Sequence, residues 1–574
     1  MSVSRTMRTI VTVLVALFWM VMWYLFLPAF NLRSVEFWCF LIFTAACIGG
    51  EILFVFTPGG WEKTDKRKKV EKWTTRAFMA LVALFLIVGL TSIRPFNAGI
   101  AQEVAHVTVS EDDITEAFPD LTTEGIDTLP LVDPDTAIVL GDKKLAQLDH
   151  ASWYDVDDEY NLVEYQGKYY RLSVIDYGGF FKWMKARQTG TPGYVLVEVT
   201  PKNGVATQEA RLVELEDHIF YSPGAFFQDN LRWHLRFQYP TLIFSRQNYL
   251  EIDEEGNPYW ITGVMHPTAG AFGVNVMDSF IVTNAQTGES QQYAVDDLPS
   301  WIDHSYSLEY LMRTAHWHYA YGDGFLNNFF SKTNVWRTSY YYRDDPEKQN
   351  DEDSAAGEFA NFFGYNSMID KDGNILFYTG LTAANGANSN LGWLVIDIST
   401  GEMTQYNIVG AEESSAQAAV ETLVQDLRYE ATFPLPANIA GQPSYIMVLK
   451  GKAGLVQGYA IVNVENYSIA VHADSLDEAI LLYLNKLGIE ATTPTDTTDE
   501  TETESKTATI EAIYTAEITG TTQYYYVIDG DLYRAAITIN QQQVLLKAGD
   551  TVTITYFDDG EIFTITEITR ASDE

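Results

Sequence analysis

Apolar residues fall into three long runs near the start of the chain and into short alternating stretches after it. The long runs are Ile10 to Phe30, Phe37 to Phe56 and Ala77 to Ile93. Each reads as a helix able to cross the roughly 30 Å hydrocarbon core of a bilayer. Arg5 and Arg8 precede the first run, which is longer than a signal-peptide core and has no small-residue cleavage site behind it, so a retained helix is expected. Between the second and third runs lies Trp61 to Arg76, WEKTDKRKKVEKWTTR, read as a cationic loop. Cations are held on the cytoplasmic side because carrying them across costs several kcal/mol, while anionic lipid on that side attracts them. The expectation is a three-helix anchor over residues 1–95, N-terminus inside, with the large C-terminal part on the outer face of the cell membrane.

Beyond a connecting region, 96–158, the pattern turns to strands rich in Tyr, Val, Ile and Trp, broken by Gly and Asn turns. A repeat emerges from residue 159 to 490. LEIDEEGNPYWITGV followed by FIVTNAQTGESQQYAV matches NSMIDKDGNILFYTGL followed by WLVIDISTGEMTQYNIV, and fainter copies lie on either side. Each unit is expected to end in a helix, Ser307 to His318 in one case and Ser414 to Leu427 in another. Residues 491–506, ATTPTDTTDETETESK, have too little apolar area to fold and read as an acidic linker. Residues 507–574 carry about five alternating stretches, which predicts a small OB-like or SH3-like β-barrel. The fold class is therefore α+β: three transmembrane helices, tandem β-hairpin/helix repeats and a C-terminal barrel.

Charge sharpens the division. Residues 1–95 hold 11 Lys/Arg and 5 Asp/Glu, or +6, so with a total of -40 the remainder carries -46. An acidic exterior of that size disfavours nucleic acid as a partner. The two cysteines, Cys39 and Cys47, both lie in the second apolar run, so the remainder stands without disulfides.

Motifs for named chemistry are missing. There is no HExxH, CxxC, GxSxG, Walker loop or GxGxxG, and DVDDEYNLVEYQ lacks the glycine and glutamate of a calcium loop. His316 and His318 sit in a helical pattern that turns them apart. No cofactor or metal is expected. Two groups stand out: Glu51 beside Gly49 and Gly50, a carboxylate within a small-residue stripe suited to helix packing or to an ion, and His234, Arg236 and Tyr239 in HLRFQYPTLIF, read as a strand edge or a ligand groove.

The segments HLRFQYPTLIF, IDEEGNPYWITGV, LPLVDPDTAIVLGD and GQPSYIMVLKGKAGLVQGYAIVNVENY resemble a family of uncharacterised multi-helix membrane proteins of Gram-positive bacteria. That resemblance implies a cell-envelope setting and carries no activity or catalytic residue. The TGE turns at Asp397 to Glu402 and Asn284 to Glu289 are similar to those of PepSY modules, extracytoplasmic units linked with protease control or sensing, although helix and strands here follow a different order. The expected function is a non-enzymatic scaffold or interaction protein of the envelope. Its partners would be membrane lipid, an envelope protein or wall polymer, and a second copy through the second apolar helix. The alternative is an envelope hydrolase or protease-regulating protein with a site between repeats.

Overall fold

The computed structural model describes residues 5–53, 65–111, 118–122, 125–339, 364–384, 389–489, 504–518, 521–536, 539, 541–558 and 563–570. The start of the cationic segment, the polar stretch 346–358 and residues 491–503 of the acidic linker lie outside them. The described residues are mixed α+β and form two units, Met1–Glu490 and Ala491–Glu574.

The apolar runs form helices α1 (Arg5–Phe26), α2 (Val35–Glu51) and α3 (Asp65–Leu90). Among the described residues two stretches, not the expected three, are long and apolar enough to cross a membrane: Thr6–Phe26 and Arg67–Leu90. Helix α2 has 17 residues, about 26 Å at a rise of ~1.5 Å per residue, which falls short of a bilayer core. It widens into a π turn at Ile52 and Leu53, where the described part of the run ends. The cationic segment is also not a loop where it is described. Asp65 to Arg76 form the first turns of α3, because Lys and Arg are good helix formers and neither glycine nor proline interrupts them.

Past the helical hairpin come α4 (Arg94–Glu103), α5 (Pro134–Leu145), α6 (Phe180–Ala186), α7 (Leu231–Gln238), α8 (Leu308–Ala320), α9 (Phe325–Phe329), α10 (Glu413–Leu423) and α11 (Leu476–Leu487). Four antiparallel meanders alternate with them. Their central hairpins are Lys168–Tyr177 with Thr191–Glu198 (repeat 1), Pro258–Ala269 with Gly273–Asn284 (repeat 2), Ile375–Ala383 with Ser389–Asp397 (repeat 3) and Gln442–Lys450 with Val456–Asn463 (repeat 4). A strand flanks each hairpin on either side. In repeats 1, 3 and 4 the leading strand is broken into two pieces that pair with one partner; in repeat 2 it is a single strand, Ile243–Ile252, with a register shift.

Helices belong to repeats differently from the sequence expectation. Some cover the sheet after them in the chain. Thus α5 lies on repeat 1 and α10 on repeat 4, while Leu231 and Leu235 of α7 sit in a core that joins repeat 1, at Leu172 and Leu196, to repeat 2, at Leu250, Trp260 and Ile281. Helix α8 is shared: Tyr319 donates to the side chain of Gln405 and stacks on Trp336 in repeat 3, while Tyr310 accepts from Met277 N and Trp317 and Ala320 pack with Ala269 and Val274 in repeat 2. An amphipathic helix buries its stripe on the nearest open sheet face, and the chain reaches the next sheet sooner than it can fold back. Helix α11 instead packs back on its own repeat, with Tyr483 bonded to Ser444 and Asn463.

The second unit is a closed barrel of Glu504–Ile518, Thr521–Ile528, Asp531–Ala536, Phe563–Arg570 and Thr551–Asp558 in that spatial order. Tyr526, Tyr533, Val552, Ile554 and Ile565 fill it. Its first strand starts inside the stretch expected as linker.

Candidate functional site at the helix and body junction

The loops of repeat 2 are built onto the ends of the apolar helices. Phe30 N donates to Pro240 O at 2.8 Å, the Asn31 amide to Thr241 O at 3.0 Å and the Arg33 guanidinium to Pro267 O at 2.9 Å. At the far end of α3, Ser92 Oγ accepts from Ala271 N and Phe272 N. Gly270, at a φ of 58°, lies so close that a Cβ there would stand 2.6 Å from Thr91 O, so no larger residue fits the contact. Aromatic rings line the seam: Tyr24 meets Trp233 edge-on at 4.3 Å, Trp23 meets Phe237, and Trp38 and Phe85 both meet Phe272.

Along this seam opens a cavity of about 500 Å³ whose walls carry Arg33, Glu36, Arg232, Arg236, Arg246 and Asn248, of which Arg33, Glu36, Arg232 and Arg246 are exposed. Four guanidinium groups against one carboxylate leave it formally at +3. Arg232 and Arg236 reach it because they are one helical turn apart on α7, whose N-terminus is capped by Asn230 accepting from Trp233 N. Arg232 pairs with Glu36 at 3.3 Å. Arg236 is only 5% exposed; it donates to Tyr239 O and Leu242 O, lies over the Phe244 ring, and its Nε has no hydrogen-bond partner. Burial pushes its guanidinium down to about 10, where it remains charged at neutral pH. Arg246 is solvent-exposed.

The three residues singled out in HLRFQYPTLIF therefore separate. The segment starts in a helix, not on a strand edge, because Asn230 caps it and the Leu231/Leu235 spacing buries one helical face. His234 approaches Gly288 O at 2.7 Å, and the Tyr239 hydroxyl donates to Ser290 O. Both fasten α7 to the last turn of repeat 2. Arg236 alone reaches the cavity. Sequence reasoning missed Arg33, Arg232 and Arg246, although the i,i+4 arginines in LRWHLRF give a signal once the segment is read as a helix.

Glu51 lies elsewhere, on the face α2 turns to α1. It accepts from Thr12 Oγ1 at 2.9 Å and borders an apolar groove of about 590 Å³ with Trp19, Thr44 and Cys47. A Cβ on Gly49 would meet Thr74 of α3 at 3.3 Å, so this glycine serves packing within the chain, whereas Gly50 faces open space.

Deeper in the body, charged groups are sealed between repeats. Burial raises the Asp133 carboxyl, but the Lys450 ammonium at 2.6 Å outweighs this and holds it below the usual range. A cavity of about 40 Å³ beside them, bounded by Arg171 and Tyr365, has room for little more than a water. Burial lifts Asp303 to about 7 and Asp176 to about 6, and with the Asp303 charge it lifts the fully buried Glu251 well above its ordinary value. Among the described residues, no three His, Cys, Asp or Glu side chains are grouped to hold a metal. No protein-family model matches the chain, and no curated protein matches it.

Proposed function

We propose that the chain is a membrane-anchored binding protein of a bacterial cell envelope, with its repeats on the outer face and the arginine cavity as the place where it grips an anionic group. One observation carries this reading. The end of α1, the start of α2 and the end of α3 all meet the same side of the body. Such an arrangement needs α2 to run against its two neighbours, returning the chain to the start of α3. Arg67, Lys68, Lys69, Lys72 and Arg76 then lie at the opposite end, where the positive-inside rule holds them in the cytosol. The tandem repeats favour an extended binding surface for an envelope protein or wall polymer. The family resemblance noted from the sequence fits the same setting. The barrel's spatial order, with the strand at Asp531–Ala536 parallel to that at Phe563–Arg570, favours the OB-like over the SH3-like reading.

Protease shaving of intact cells tests the orientation: repeats 1 to 4 should be digested from outside, and their protection would refute it. A second reading, an envelope hydrolase, draws on Asp303, which accepts from Glu164 N of repeat 1 where repeats meet; burial lifts its carboxyl to about 7, a value suited to acid catalysis. Turnover of envelope substrates that is lost in Asp303→Asn, with folding intact, would favour it.

A further inference from the structure

We propose that the arginine-lined cavity holds the phosphate headgroup of an anionic membrane lipid. This rests on the anchored, outward-facing reading and names the ligand. The chain beyond residue 95 carries -46, yet four arginines converge on one cavity with a single carboxylate among them. Bringing like charges together costs free energy that a bound anion repays, and a guanidinium's planar fork matches phosphate oxygens.

Arg236 is buried in the cavity wall and held by the Tyr239 and Leu242 carbonyls, so its positive charge is fixed beside the cavity, where a nearby anion offsets the cost of burying it. The cavity floor is the turn from Ala29 to Glu36 that joins the two apolar helices, so it lies where those helices leave the hydrocarbon. Trp23 and Tyr24, with Trp233 and Phe237 packed on them, form the aromatic rim expected at headgroup depth. Beyond that rim, Phe180 of α6 packs on Phe227, and Phe181 and Met184 of the same helix are 72% and 50% exposed. Apolar surface continuous with the ends of spanning helices suits acyl chains and glycerol backbones next to the cation cluster.

The test uses the full chain in phosphatidylcholine nanodiscs containing a trace of phosphatidylglycerol with a photoactivatable headgroup. Crosslinks should map to residues 31–36 and 232–246. They should fall several-fold in Arg246→Gln and further in Arg33→Gln/Arg246→Gln, while Lys202→Gln leaves them unchanged. Displacement of the probe by excess inorganic phosphate would overturn the lipid assignment in favour of a soluble anion. Equal labelling of wild type and variants, or equal labelling by a phosphatidylcholine probe, would overturn it altogether. Nanodiscs expose both faces, so this result is independent of orientation, which the shaving experiment reads separately.

Discussion

Repeats 2 and 3 are built alike and used differently. In both, an aspartate closes the first turn with the same three bonds: Asp253 accepts from Glu255 N, Asn257 N and the Asn257 amide, and Asp370 accepts from Asp372 N, Asn374 N and the Asn374 amide. The second turns match too, with Asn284 and Asp397 each accepting from two backbone amides further along the TGE loop. What differs is what each sheet meets. The central strands of repeat 2 are 12 residues long and their tip reaches the apolar helices; those of repeat 3 are 9 residues long. Equivalent glycines make room for different neighbours. Gly263 accommodates Met277 of its own sheet, and Gly380 accommodates the carboxylate of Glu413 on α10. Duplication thus preserved the turns, which are local, and released the faces, which answer to whatever packs on them.

The two repeats differ most at Glu413. This buried carboxylate accepts from Ser339, Asn390, Tyr445 and Tyr378, a knot with no counterpart at Gly263. Glu413→Ala would strand those donors and should cost about 3–5 kcal/mol in denaturant unfolding of the detergent-solubilised chain. Next, Gly380→Ala should cost about 3 kcal/mol and Gly263→Ala only about 1 kcal/mol, since a thioether can swing aside and a bonded carboxylate cannot. Equal losses would show that the two glycines do the same job. Asp253→Ala and Asp370→Ala should each lose about 1–2 kcal/mol, because the turns are the part held in common.

Acidity offers a further contrast. Asp303 and Asp176 bind protons more tightly folded than unfolded, as do Glu251 and Glu413, all chiefly through burial. Folding then takes up protons between the unfolded and folded values, so stability falls as pH rises through about 6 to 7 and recovers on acidification toward about pH 5. Thermal unfolding should therefore occur at a higher temperature at about pH 5.5 than at about pH 8, with Asp303→Asn flattening the trend. The smallest stability effect belongs to Arg246→Gln, within about 0.5 kcal/mol, because the side chain is exposed. Its expected loss is in headgroup crosslinking alone.

The turns were readable because Asp-x-x-Gly-Asn and Thr-Gly-Glu specify backbone geometry within five residues. The barrel strands were readable because one buried face imposes alternation, as at Val552, Ile554 and Tyr556. The assignment of helices to sheets was not. Nothing local in Leu308–Ala320 says that its buried side chains divide between the strands before it and those after it. HLRFQYPTLIF misled for a related reason: its few apolar positions fit a strand or a short helix, and Asn230, four residues upstream of His234, decided the matter through a cap.

By itself the sequence determined the apolar helices, the acidic composition of the chain beyond them, the repeated meander and the closed tail barrel, because each depends on periodicity or on turn chemistry spanning a few residues. The tertiary structure decided that Arg33, separated from Arg232 and Arg246 by about two hundred residues of chain, shares a cavity with them. Such a meeting depends on which hairpin is long enough to touch the helix ends, and that is a property of packed surfaces that no local pattern encodes.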